Sequence, residues 1–120
     1  MSNGYPIHEN VPGHIPPRSR MRKILLYIGA NLGGDLSAHT IAQACMLSTS
    51  TLERLFSKYL QQSCRQYVEE VRIQKAYELI TQHDKMIKEA MYATGYKTRP
   101  AFNKAFKRKY GYPPSHFKIE

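Results

Sequence analysis

Seven basic side chains, Lys97, Arg99, Lys104, Lys107, Arg108, Lys109 and Lys118, fall between Tyr96 and Ile119 with no acidic residue among them. A charge run on a helix is read first as a solvated face. This one lacks the carboxylates that balance an ordinary charged surface, and contact with phosphate is the chemistry it suits best. The whole chain leans the same way: 18 Lys and Arg against 9 Asp and Glu give +9 over 120 residues. That excess favours a polyanionic partner, nucleic acid first and an acidic membrane surface second. Catalytic chemistry finds no comparable footing. Five histidines (His8, His14, His39, His83, His116) and two cysteines (Cys45, Cys64) show no metal-ligand spacing, and neither a phosphate-cradling glycine loop nor a nucleophile motif occurs. A chain of this size buries only roughly two-thirds of its unfolded surface, which argues against a deep cleft between lobes. No enzyme activity, catalytic residue, metal or cofactor is expected.

Two cysteines are too few for a disulfide scaffold and read as reduced core thiols. No stretch approaches the roughly 20 apolar residues of a membrane span, and the N-terminus lacks the apolar core of a signal peptide. A cytoplasmic protein with no membrane partner is the expectation.

The elements that must carry these side chains are helical throughout. Residues 1–19, with Pro6, Pro12, Pro16, Pro17, Gly4 and Gly13, show no periodicity and read as a flexible tail or interdomain linker. From Met21 the apolar spacing of Ile24, Leu25, Ile28 and Leu32 predicts a first helix, stopped by Gly33-Gly34. Ser37 is placed to cap a short helix to about Cys45, with Ile41, Ala42 and Cys45 inward. Ser48 repeats that chemistry and opens a third helix, with Leu52, Leu55, Phe56 and Tyr59 inward and Ser50, Glu53, Arg54 and Ser57 outward. A longer helix, about 64–82, is predicted to bury Tyr67, Val68, Val71, Ala76, Leu79 and Ile80 and to serve as a spacer. A short helix through Ile87, Ala90 and Met91 then ends at Gly95, whose freedom at positive φ suits a tight turn. Thr98 caps the next, with Pro100 in its first turn and Phe102, Ala105, Phe106 and Tyr110 inward; Gly111 closes it. Pro113-Pro114 begins a last turn of helix through Phe117.

Set at a spacing of 50 residues, Leu52-Glu-Arg-Leu-Phe-Ser-Lys58 and Phe102-Asn-Lys-Ala-Phe-Lys-Arg108 carry their apolar positions in register. Each follows a short helix and a turn, so one helical hairpin occurs twice. Such a pair presents its second helix to a major groove about 12 Å wide, and two copies on a connecting helix can enter successive grooves roughly 34 Å apart. Glu53 is open to two readings, accepting from cytosine N4 in the groove, or merely capping or pairing with Arg54.

The order Ile41-Ala42, Leu47-Ser48, Leu52-x-Arg54-x-Phe56, Tyr67, Arg72-x-x-x-Ala76, Ile87-x-Glu89, Gly95-Tyr96, Phe102, Phe106-Lys107, Gly111, Pro114-Ser115, Phe117 resembles the DNA-binding domain of the AraC/XylS transcription regulators, over about residues 20–118. The resemblance implies an all-α, seven-helix, homeodomain-like domain with two helix-turn-helix subdomains, about 37–60 and 86–110, joined by a long linker helix. It also implies binding to promoter DNA as a transcription regulator, usually an activator, with RNA polymerase as a further partner. Carried over by position, it assigns base reading to Thr49, Ser50, Glu53 and Arg54 in the first unit and to Arg99, Ala101, Asn103 and Lys104 in the second. Lys58, Arg65, Lys97, Lys107 and Arg108 fall to phosphates, which fix register without reading sequence.

The sequence departs from the family at three places. Ala90 and Met91 exchange the usual large and small residues. Met86 stands where a capping Ser or Thr is usual, which leaves Glu89 as half of a capping box, Asp84 as a substitute, and a helix expected to fray. Pro100-Ala101 replace polar residues at the start of the second reading helix. Family members usually carry a ligand-binding or dimerisation domain ahead of this one. Both a stand-alone monomeric regulator and a C-terminal piece of a longer sensor, dimerised through that missing domain, fit residues 1–20. The rival class is a helical protein-interaction module acting on RNA polymerase or another regulator, which has no need of the unbalanced basic run.

Overall fold

The structure, a computed structural model, describes residues 11–118. Among them the chain forms six α-helices, one 3-10 turn and no strand: α1 (Arg20–Ala30), α2 (Ala38–Ala44), α3 (Thr49–Leu60), α4 (Cys64–Thr81), α5 (Ile87–Ala93), α6 (Arg99–Tyr110) and the 3-10 turn Pro114–Phe117. The chain divides into two units. The first takes the chain up to Asn31 together with Asp35–Val68; the second takes Leu32–Gly34 and everything from Glu69.

In the first unit α1, α2 and α3 close on Met21, Ile24, Ile28, Ile41, Leu52 and Phe56, all fully buried. Hydroxyl caps set the helix starts, at Ser37 and Ser48 as expected and also at Ser19. Ser19 Oγ accepts from the Arg22 amide (3.1 Å), Ser37 Oγ from Thr40 (3.2 Å) and Ser48 Oγ from Thr51 (3.1 Å). Each such cap contributes about 1 kcal/mol. Within the expected tail, residues 11–19 form turns and seat Ile15, 4% exposed, in this unit, because a single large aliphatic finds a buried place there. The remainder, 1–10, lies outside the described residues. Gly33-Gly34 is not the stop of α1, which ends at Ala30 on Asn31, three residues earlier. Cys45, expected inward, is the C-cap of α2 and only half-buried.

The second unit packs α5, α6 and the rest of α4 around Ile73, Ala76, Ala90, Phe102 and Phe106. Tyr77 stacks on Tyr110 with ring centroids 4.3 Å apart and meets Phe117 edge-on at 5.3 Å. Ala90 and Met91 are both buried, so the exchanged sizes fit side by side. α5 forms with only the Glu89 half of a capping box, its Oε1 accepting from the Met86 amide at 2.9 Å. Asp84 does not substitute as a cap. It is held instead by Lys118 Nζ at 2.7 Å.

The two turns are built alike. After α2 the amides of Met46 and Leu47 donate to Gln43 O and Ala42 O (3.2 and 2.8 Å); after α5 those of Gly95 and Tyr96 donate to Tyr92 O and Met91 O (both 3.1 Å). These are the paired bonds of a Schellman motif, which needs a left-handed residue at its centre. Gly95 supplies it at φ +87, but Met46 adopts φ +60 with a side chain 91% exposed. A left-handed backbone costs a residue with a Cβ about 1–2 kcal/mol, and the extra unfolded freedom of glycine offsets about 0.5–1 of that. Met46→Gly is therefore expected to stabilise the first unit by about 0.5 kcal/mol. Urea unfolding checks it, as a higher midpoint at unchanged slope.

Candidate nucleic-acid interface

The inward positions of the two second helices match at the 50-residue offset: Leu52 with Phe102, Leu55 with Ala105, Phe56 with Phe106, all buried. With 3.6 residues per turn, the direction opposite that stripe belongs to Arg54 in α3 and Lys104 in α6. Ser50 and Ser57 flank Arg54; Pro100 and Lys107 flank Lys104. Apolar packing at three positions thus aims each outward set without any contact of its own.

Most of the sequence-assigned residues are exposed: Thr49, Ser50, Arg54 and Lys58 on α3, Arg65 in the first turn of α4, and Lys97, Arg99, Ala101, Lys104, Lys107 and Arg108 around α6. Asn103 is half-buried, on the flank of the α6 stripe. Glu53 departs from the outward placement expected of it. It is half-buried, and its Oε1 accepts from the Cys64 amide at 3.0 Å, tying α3 to the start of α4 within the first unit. Of the two readings, this is the capping one, applied to the following helix rather than its own. A carboxylate at a helix N-terminus meets free N–H groups and the positive end of the dipole, which is why it turns there.

The basic run separates into two groups. Arg108 is paired with Glu69, Lys109 Nζ lies 3.5 Å from Glu70, and Lys118 sits on Asp84, holding that carboxyl below its usual range by hydrogen bond and charge. Lys97, Arg99, Lys104 and Lys107 form no ion pair among the described residues. Four cations without a carboxylate partner among the described residues thus lie on and beside α6. Exposed pairs such as Arg108–Glu69 contribute about 0–1 kcal/mol, so a phosphate can compete for Arg108 at small cost.

Two residues that hold the second unit together escaped the sequence reading. Arg72, seen there only as a motif position, donates from Nε to Leu32 O (3.2 Å) and from Nη2 to Gly34 O (2.7 Å), fixing the loop after α1. Thr94 is fully buried and donates from Oγ1 to Ala90 O at 2.8 Å, satisfying its hydroxyl within its own helix end. An arginine among many on a basic chain carries no mark of such a task, whereas a threonine just before Gly95 is at least recognisable as turn chemistry.

The thiols offer no reactive centre. Cys64 is 1% exposed and its thiol is pushed up to about 12, first by burial and then by Glu53; burial also raises Cys45. Both stay protonated near neutrality, and neither is in a disulfide. Among the described residues no group of three His, Cys, Asp or Glu side chains is arranged to hold a metal ion, and no helix is long and apolar enough to cross a membrane.

A helix-turn-helix domain family matches residues 41–119. The HTH-type transcriptional regulator ArgR of Pseudomonas aeruginosa is 30% identical over 95 residues, 79% of this chain and 29% of that protein. The Msm operon regulatory protein of Streptococcus mutans is 27% identical over 116 residues, 97% of this chain and 42% of that protein. The chain spans less than half the length of these curated relatives. Among solved structures, the C-terminal domain of AraT, a response regulator from Geobacillus stearothermophilus, superposes with a TM-score of 0.80 at 26% identity, covering 90% of this chain and 92% of that one. A transcriptional regulator from Chromobacterium violaceum, of the proteins containing an AraC-type DNA-binding domain, gives 0.75 at 27% identity over 82% and 88%. A twice-repeated helix-turn-helix, matched in sequence over most of its length and in structure over nearly all of it, places the chain in the AraC-type helix-turn-helix family of DNA-binding domains.

Proposed function

We propose that this chain binds double-stranded promoter DNA sequence-specifically and regulates transcription, acting as a binding protein rather than an enzyme. The observation that carries the reading is the repeated hairpin whose second helix leaves its outward face open, with Arg54 and Lys104 at the centre of the two faces. Thr49, Ser50, Arg54, Arg99, Ala101, Asn103 and Lys104 are the base-reading set, each good bidentate contact being worth about 1–3 kcal/mol of discrimination. Lys58, Arg65, Lys97, Lys107 and Arg108 bind phosphates and set the register. Glu53 leaves the base-reading set, since its carboxylate already serves Cys64. Residues 20–118 are the binding domain, with one unit per reading block and the blocks in successive major grooves. The chain works in the cytoplasm as a monomer, as an activator in contact with RNA polymerase.

Selection of bound duplexes from a randomised library about two helical turns long, at two salt concentrations, tests this. An asymmetric motif with two blocks about one turn apart is the expected result. Failure to enrich any sequence at either salt would sink the proposal, and salt-insensitive association with a protein partner would favour the interaction module instead.

A further inference from the structure

The last carbonyls of a helix have no partner within it and must find one elsewhere. At the end of α3 they are taken in turn: Ser57 O accepts from the Gln61 amide (3.2 Å), Lys58 O from Gln61 Nε2 (3.1 Å), and Tyr59 O from His14 Nε2 (2.9 Å), a residue 45 positions earlier. Facing a carbonyl, that ring nitrogen carries the proton and donates. The segment bearing His14 is itself fixed. Ile15 is 4% exposed, its amide donates to Pro12 O (3.1 Å), and Ser19 Oγ donates to Pro16 O (2.8 Å). Three prolines, Pro12, Pro16 and Pro17, remove φ freedom, so little entropy is left to lose.

We propose that residues 12–19 are a strap that positions the first reading helix, with Ile15 as its anchor and His14 as the positioning residue on the C-terminal turn of α3. The inference rests on α3 being a reading helix. Base contacts demand a reading helix held within about 0.5 Å of its working position. The Ser48 cap fixes the start of α3 and Glu53 ties its middle to α4, while the strap governs its far end. Coupling runs both ways: releasing the strap weakens base reading, and a bound duplex tightens the strap. Whatever acts on the chain ahead of residue 12 thereby reaches the first unit's specificity.

His14 is exposed, so removing its ring leaves the core intact. The full 120-residue chain is compared with His14→Ala, His14→Gln, which keeps a donor, and His39→Ala, an exposed histidine on α2. Two quantities are read: the ratio of affinities for the selected duplex and for a scrambled one of equal length, and hydrogen exchange over residues 59–61. For His14→Ala the ratio should fall about five-fold, the scale of one lost hydrogen bond, while scrambled-duplex affinity stays within about two-fold. Exchange at 59–61 should quicken, His14→Gln should restore both, and His39→Ala should change neither. An unchanged ratio, an equal loss on both duplexes, or no rescue by glutamine overturns the strap. Should the native chain itself fail to tell the two duplexes apart, the reading role of α3 falls separately. The strap is then judged on exchange in free protein, where faster exchange in His14→Ala sustains it and unchanged exchange removes it.

Discussion

Gly95→Ala is expected to destabilise the second unit by about 3 kcal/mol, and two independent costs lead to that figure. At φ +87 a Cβ is strained whatever the space around it, a cost of about 1–2 kcal/mol, of which the reduced freedom of the unfolded chain returns about 0.5–1. The space is also taken: the added carbon would lie 2.8 Å from Leu32 O and from the guanidinium carbon of Arg72, and 2.9 Å from Arg72 Nη2. Leu32 O is backbone held by that same guanidinium, so neither neighbour gives way without loosening the other. Freeing Arg72 leaves the carbonyls of Leu32 and Gly34 without their charged donor, which costs about 1–3 kcal/mol. Denaturant unfolding of the variant reads the sum, and a loss below about 1 kcal/mol would show that the Arg72 clamp contributes nothing. The same turn position in the first unit carries Met46, where the expected change on going to glycine has the opposite sign. Opposite signs at equivalent positions test the left-handed geometry of both turns with one pair of variants.

That pair also marks the limit of what the residues reveal before the fold is seen. Hydroxyl caps at Ser37, Ser48 and Thr98, the three-position apolar stripes of α3 and α6 and the Gly95 turn were all legible, because each is local chemistry repeated at helical spacing. Met46 was not, since nothing in a methionine announces a left-handed backbone; only its equivalence to Gly95 does. α4 was read in the right place with a partly wrong core. Tyr67, Val71 and Leu79 are half-buried while Ile73 is 1% exposed. A helix shared between two units has no single inward stripe for periodicity to find. At the candidate site, exposure on α3 and α6 followed from register, but the partners of Glu53, Arg108 and His14 lie 11, 39 and 45 residues away. Contacts at those separations exist only once the chain has folded back. They decide which cations face solvent unopposed and which, like Arg108, must first exchange a carboxylate partner for a phosphate.

Neutralising Lys107 and removing Arg54 are expected to weaken DNA binding in different ways, and the difference follows from where each side chain points. Arg54 lies opposite the buried stripe of α3, on the face proposed to enter a groove, and a bidentate contact to guanine O6 and N7 there would be worth about 1–3 kcal/mol. Arg54→Ala should therefore weaken the preferred duplex about 10- to 100-fold, relax selection at one base position and leave scrambled DNA nearly unaffected. Lys107 flanks the outward line of α6 and has no ion pair among the described residues. Lys107→Ala should weaken preferred and scrambled duplexes alike and reduce the slope of log affinity against log salt by about 0.9, the signature of one lost phosphate contact. Lys109 sits two residues further along α6, where Glu70 holds it. Lys109→Ala should leave the slope unchanged, since Lys109 lies about 140° round the helix from Lys104, away from the outward line on which Lys107 and Arg108 sit. A slope change at Lys109 equal to that at Lys107 would mean that net charge alone, and not the placement of unpaired cations, governs binding. Equal losses for Arg54→Ala on preferred and scrambled DNA would move Arg54 from the bases to the backbone and leave α3 without its central reader.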